Sequence, residues 1–436
     1  MKRNAKLVLV LASLFCLVLS TGVLASDFFG TDYDFNGKTV TFYHWSMDEL
    51  AGRFREGEVG QGRVEEAEKL FNVKIQFETV GWNAVTESYM ARLLAGDSKL
   101  DVWGVSQGIG LFDLVKEGAL LPMTNIVPKE YYDTISNELR TELEMMAYRG
   151  EIYGIGPSTH SALYSPSIVL SIYNKDMFER EGLDDPYELY LAGEWTWDTV
   201  TELAKKLTKD TDNDGVIDQF GMTGIWPHAA PSLMISNGGN VMRMADNGDM
   251  VYAMDERPAL EALQQIHEWD LVHGVMGGSE QDFIAGKVGM QLLQSVHMLI
   301  PLSQQMEDRY GLVPNPRGPR MDEHTYPKFA MATLVLPANS EEPEALVALS
   351  NFLYRESDTD EDEYVDSMVR DRNSARVLLE ANSSWSGETF LVRSNEMRGL
   401  VEPAMASSKN GEKTPAVAAG EIRPAVQNLL DAMFNN

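Results

Sequence analysis

Residues 151–183 read E-I-Y-G-I-G-P-S-T-H-S-A-L-Y-S-P-S-I-V-L-S-I-Y-N-K-D-M-F-E-R-E-G-L. Ile152, Tyr153 and Ile155 form a short apolar run closed by Gly156 and Pro157. A small, polar stretch follows, with Ser158 and His160 in it, and then a second β-rich run over residues 168–173. Asn174, Lys175 and Asp176 break that run, and Met177 and Phe178 lead to a stop at Gly182. The pattern predicts two strands joined by a Gly/Pro/Ser hinge, with a short helix after them. A hinge of this kind lets two bodies swing while only a few residues change their backbone angles.

Upstream, residues 39–45 read T-V-T-F-Y-H-W, with Val40, Phe42 and His44 alternating with Thr41, Tyr43 and Trp45. Val64, Ala67, Leu70 and Phe71 recur at helical spacing, residues 73–77 alternate as a strand, and Val85, Tyr89, Met90, Leu93 and Leu94 mark a helix stopped at Gly96. Residues 101–105 form a third strand. Strand, helix, strand, helix, strand predicts a parallel doubly wound sheet, an α/β fold. Ligands in such sheets sit beyond the carboxyl ends of the strands, which here are Trp45, Trp82, Ser106 and Gln107. Downstream, helices are expected over residues 112–118, 131–148, 200–207, 259–272 and 344–353, and strands over 219–225, 288–293 and 329–336.

Three segments taken together, I-Y-G-I-G-P-S (152–158), S-I-Y-N-K-D-M-F (171–178) and W-T-W-D-T-V-T-E-L-A-K-K-L-T (195–208), resemble the extracellular solute-binding proteins of carbohydrate ABC importers, the maltose-binding-protein-like group. The resemblance implies a two-lobed periplasmic-binding-protein-like fold of class II topology, with the ligand cleft between lobes joined by hinge strands. It places lobe one at residues 27–157 plus 328–357 and lobe two at 158–327 plus 358–436. It implies a carbohydrate ligand, an ABC permease as partner, and no ATP site in this chain. A monomer is expected.

The 436 residues are too many for one small core. The first 25 differ from the rest: Lys2, Arg3 and Lys6 precede an apolar block over residues 7–19, and a Val-x-Ala site ends at Ala25. This predicts a secretory signal and a periplasmic or secreted mature protein. The lone cysteine, Cys16, lies inside the leader behind Leu14 and Phe15, so neither a lipid anchor nor a disulfide is expected. Beyond the leader, 33 Lys and Arg face 66 Asp and Glu, an excess that argues against nucleic acid and anionic lipid as partners.

A sugar offers an apolar C–H face and a rim of hydroxyls, so its site needs aromatic rings beside planar polar groups. Trp45, Trp82 and Trp226 follow strands, whereas Trp103, Trp195, Trp197 and Trp269 read as packing, with Asp198 as a helix cap. Polar candidates are Ser106, Gln107, Ser158, His160, Gln294, Ser295 and His297. Arg317 would suit a carboxylate or phosphate. Asn237 and Asn240 either face the cleft or form a turn.

Asp210, Asp212, Asp214, Gly215 and Asp218 begin like a calcium loop, but its twelfth position is Gly221, so the segment reads either as a calcium site or as an Asx turn. No other cofactor is expected. No G-x-S-x-G, H-E-x-x-H or G-x-x-x-x-G-K-[ST] occurs, and no carboxylate pair stands out for glycoside hydrolysis. The readings left beside sugar import are the same fold with a uronate, a glycerol phosphodiester or a peptide, and a secreted sugar-active enzyme.

Overall fold

A computed structural model describes residues 30–56, 60–106, 109–133, 140, 143, 147–155, 168–225, 229–295, 299–328, 332–354, 368–384 and 395–435. The leader, the hinge with Ser158 and His160, the acidic run at 356–363, Gln107, Trp226 and His297 lie outside them.

The chain opens with β1 (Thr39–His44), α1 (Arg63–Leu70), β2 (Lys74–Thr79), α2 (Val85–Ala95) and β3 (Asp101–Ser106). β1 pairs in parallel with β2 on one side and β3 on the other, as the alternation of strands and helices requires. Val40, Phe42 and His44 are buried. The core beneath is aromatic: Tyr89 of α2 stacks on Trp103 of β3 at 4.6 Å and donates its hydroxyl to the Gly104 carbonyl at 3.0 Å. A second core anchor is Asp101, 3% exposed, which receives Nε and Nη2 of Arg92 at 2.7 and 3.1 Å.

The chain then reaches β4 (Val169–Asn174), α3 (Lys175–Glu181), α4 (Pro186–Leu191), α5 (Trp197–Leu207), β5 (Phe220–Met222) and α6 (Ala230–Ile235). A hairpin, β6 (Met242–Met244) and β7 (Met250–Tyr252), precedes α7 (Arg257–His267), α8 (Glu280–Ile284), β8 (Val288–Ser295) and β9 (Tyr310–Val313). β10 (Ala332–Val335) returns to the first sheet, whose order is β10-β3-β1-β2, and α9 (Pro343–Tyr354) packs on α1. The second sheet has the order β5-β8-β4-β9. Helices α10 (Arg372–Ser383), α11 (Asn395–Lys409) and α12 (Pro415–Leu430) complete the second body. Among the described residues no helix is long and apolar enough to cross a membrane.

The described residues that flank two crossings between the sheets pair with each other. Ile155 bridges Leu334 and Ile168 bridges Lys328, both antiparallel. The expected strand over 152–155 is thus an isolated bridge. Gly154 permits it, because a Cβ there would lie 2.6 Å from Thr333 Oγ1 and 2.9 Å from Leu143 Cδ2.

Several local expectations are corrected. Thr196, not Asp198, caps α5: its side chain accepts from the Thr199 N–H, and Asp198 already lies within the first turn. The described start of the helix expected over 131–148 is a 3-10 turn, Lys129–Asp133. The helix expected over 259–272 is α7 followed by a π turn, Glu268–Val272, which buries Trp269 and lets its Nε1 reach Thr201 Oγ1 at 2.8 Å.

Candidate ligand site

Strand polarity decides where a ligand can sit. Ala332, the first residue of β10 after the crossing, lies beside Ser106 at the carboxyl end of β3. Val169, the first residue of β4 after the other crossing, lies beside Ser295 at the carboxyl end of β8. The carboxyl ends of the parallel strands of one sheet and of β5 and β8 of the other are therefore both on the hinge side. This is where open α/β sheets bind their ligands.

On the first sheet the wall is built in steps from the core. Gly104 brings β3 against His44, and a Cβ there would lie 2.1 Å from His44 Cδ2. The His44 ring packs on Trp45 at a tilt of 31°, with centroids 3.8 Å apart. Trp45 meets Trp82 edge to face, with centroids 5.4 Å apart and planes at 82°. Trp82 opens the short helix after β2 and is 47% exposed. An indole this exposed yet buttressed from behind offers a rigid apolar face. At the end of β3, Ser106 is buried and its Oγ has no protein partner among the described residues.

On the second sheet Gln294 is half-buried, with Nε2 donating to the Leu292 carbonyl at 3.2 Å, and Ser295 ends β8. Thr223, immediately after β5, was not singled out by sequence. It is buried, and its Oγ1 also lacks a protein partner among the described residues. A hydroxyl at the carboxyl end of a strand was the available signal, and it was hidden inside an apolar run.

Other candidates are spent elsewhere. Asn237 is fully buried: it donates to the Pro258 carbonyl and to Glu261, and accepts from the Arg320 N–H. Arg317 donates to the carbonyls of Met321 at 2.6 Å and Gly193 at 2.9 Å, so its guanidinium ties loops together. In the acidic loop Asp210, Asp212 and Asp218 bring oxygens within 4.8 Å of one another, and Asp214 is outside the group. The loop closes on itself. Asp210 accepts from the N–H groups of Asp214 and Gly215, and Asp218 accepts from Thr211. Those three carboxylates are the ones that could hold a cation.

The sequence profile of the bacterial extracellular solute-binding proteins matches residues 51–359. The chain belongs to this family. A binding protein of Brucella abortus is 24% identical to it over 318 residues, 67% of this chain and 68% of that one. Among solved structures, this solute-binding protein is similar to an ABC substrate-binding protein from Listeria monocytogenes in complex with cycloalternan, with TM-score 0.66, 16% identity, and coverage of 90% of this chain and 99% of that one. The GacH receptor of Streptomyces glaucescens, solved unliganded and with acarbose, gives 0.66 and 17%, over 91% and 99% of the two chains. UgpB from Mycobacterium tuberculosis, in complex with glycerophosphocholine, gives 0.65 and 15%, over 90% and 98%. These likenesses establish the two-lobed α/β binding-protein fold for this chain.

Proposed function

We propose that this protein captures a neutral sugar or oligosaccharide between its lobes and delivers it to an ABC permease, without chemically altering it. The observation that carries the reading is the Trp45–Trp82 pair at the carboxyl ends of β1 and β2, with Trp82 half open to solvent. A sugar ring stacks its C–H face on that indole, and the hydroxyl groups of Ser106 and Thr223 with the amide of Gln294 supply partners for its rim. Closure over the paired crossings adds contacts from the second lobe. Those contacts are made only in the closed form, and they are what shifts the population toward it.

Several structural neighbours carry sugars or sugar-like ligands in their names, among them cycloalternan, acarbose and maltotriose, which supports this ligand class. One carries glycerophosphocholine. The anionic reading rested on Arg317, and that guanidinium is committed to two carbonyls. The remaining lobe boundaries, the export signal and a monomeric state belong to the same proposal.

The test is a thermal-shift screen of the protein without residues 1–25 against mono- and oligosaccharides, uronates, phosphodiesters and peptides, with turnover followed in parallel. A ligand that binds only the folded state at a hundredfold excess over its Kd stabilises by about 2.7 kcal/mol. A shift with one sugar class and no product supports the proposal. A shift confined to phosphodiesters, uronates or peptides overturns the ligand class, and consumption of the sugar overturns the binding-only reading.

A further inference from the structure

The turn after α12 is fastened to the second body by side chains that take the place of a third strand. β7 has a strand, β6, on one edge. On its other edge the Tyr252 N–H donates to Gln427 Oε1 at 2.9 Å, and the Met250 N–H to Asn435 Oδ1 at 2.8 Å. The Met250 carbonyl accepts from Gln427 Nε2 at 3.2 Å and from Asn435 Nδ2 at 3.0 Å. Asp431 Oδ1 ties the two amides together, accepting from Gln427 at 2.8 Å and from Asn435 at 2.7 Å. Met433 between them is fully buried. The π turn Asp431–Asn435 is thereby a fixed extension of the second body.

The same turn reaches the first body. Phe434 meets Phe112 at 6.4 Å, with planes at 74°, and Tyr148 at 6.2 Å. Phe112 and Tyr148 lie 6.1 Å from each other, so the three rings close a triangle. Phe112 belongs to the helix Leu111–Lys116, which leads to Leu120, itself bridged to Pro337 just after β10. Tyr148 opens a tight turn through Arg149 and Gly150, both at positive φ, closed by reciprocal hydrogen bonds with Glu151 at 2.9 and 3.0 Å. Arg149 lies over the Tyr148 ring at 5.5 Å, and its Nη2 donates to the Ala432 carbonyl at 3.3 Å. Rings in this geometry attract beyond their buried area.

We propose that Phe434 is a clasp between the two lobes, which limits how far the free protein opens. The crossings are backbone ties, and they allow a swing. A side-chain tie between groups fixed on the two bodies is made only over a narrow range of lobe angles, so it favours those angles over wider ones. The three rings are in contact while Trp82 stays 47% exposed, so the clasp is made in an arrangement that leaves the platform accessible. Lobes held near one another lose less freedom when they close on a sugar. The inference takes the swing about the crossings from the reading above, but not the ligand.

The test uses the protein without residues 1–25, which lacks the lone cysteine and so takes two spin labels at introduced cysteines. Leu94→Cys, at an exposed position, lies at the end of α2, where the chain turns to the start of β3. Val272→Cys, also exposed, precedes Met276, which bridges Met222 of β5 in parallel. Both labels lie toward the amino ends of their sheets, away from the crossings. Label-to-label distances in the ligand-free protein are expected to form one narrow distribution. Phe434→Ala is expected to add longer distances, with the ratio of clasped to wider molecules falling about fivefold, and Phe434→Tyr, which keeps the ring, to restore the narrow form. Arg149→Ala, at an exposed position, is expected to move the distribution the same way by less, and decides the matter if Phe434→Ala does not fold. A broad distribution with Phe434 present, no change in the two alanine variants, a shift to shorter distances, or Phe434→Tyr matching Phe434→Ala would each overturn the clasp. No sugar enters this measurement, whereas failure of the ligand reading shows as the absence of a thermal shift with any sugar.

Discussion

Trp82 is exposed and His44 is not, and that contrast sorts the effects of single substitutions. Trp82→Ala removes a ring that carries little of the fold, because 47% of it faces solvent. The expected outcome is a loss of about 2 kcal/mol in sugar affinity, about thirtyfold in Kd, with the melting temperature nearly unchanged; calorimetric titration and a thermal melt check both. Gly104→Ala acts on the same platform from behind. Its Cβ would collide with the His44 ring at 2.1 Å, and His44 supports Trp45. This substitution is expected to lower both affinity and melting temperature, a combination that Trp82→Ala does not produce. Sequence placed Trp45 and Trp82 at strand ends correctly. It had no means of seeing that Arg317 and Asn237 face other groups, because which donor meets which carbonyl is set by loops distant in the chain.

Helix α7 shows how one carboxylate fastens several elements. Glu261 receives Arg320 Nε at 2.6 Å and Nη2 at 2.8 Å, with Asn237 and Arg257 alongside. The Arg320 guanidinium is the main reason its carboxyl is held down at about 2, below an ordinary 4.5. A depressed carboxylate stabilises the fold above its unfolded value, and that contribution is lost as the pH falls from 4.5 toward 2. Glu261 is partly open to solvent, so its share is on the order of 1 kcal/mol. Denaturant unfolding of wild type is expected to lose more stability over this window than that of Glu261→Gln, by about that amount.

The start of α5 carries a separate prediction. Thr196→Ala is expected to cost about 1 kcal/mol, and Asp198→Ala within about 0.5 kcal/mol of nothing, because Thr196 alone caps the helix through its side chain. Equal losses would contradict that assignment. In the acidic loop the carboxylates already accept N–H and hydroxyl groups, and Asp214 turns its oxygen to the Val216 N–H at 2.8 Å. Added calcium, followed by chelator, is therefore expected to leave the melting temperature unchanged; a rise reversed by chelation would show that the three clustered aspartates hold the ion.

The two sheets are joined through the paired crossings, and the C-terminal turn also reaches across. Phe434 packs near Phe112 and Tyr148, at 6.4 and 6.2 Å, while Asn435 accepts from the Met250 N–H on the hairpin at 2.8 Å. The turn thus touches elements of both bodies. Closure around a sugar is expected to reduce the radius of gyration in small-angle scattering, and Phe434→Ala to raise the value for the free protein. Binding with no change in radius would rule out hinge closure.

The strand and helix order of residues 39–106 was legible in the chain, because apolar periodicity of two and of three to four residues is a local property. So was the strand that follows the second crossing, expected over 329–336 and found as β10. The side-chain pairings were not legible. Gly104 beneath His44 and Arg320 on Glu261 join residues whose spacing carries no pattern. The α5 cap was a nearer miss, since Thr196 and Asp198 are both good capping residues and only the backbone angles show which one lies outside the helix. Periodicity fixes which face of an element is buried. What that face meets depends on how the two sheets, the crossings and the long loop between β9 and β10 come together.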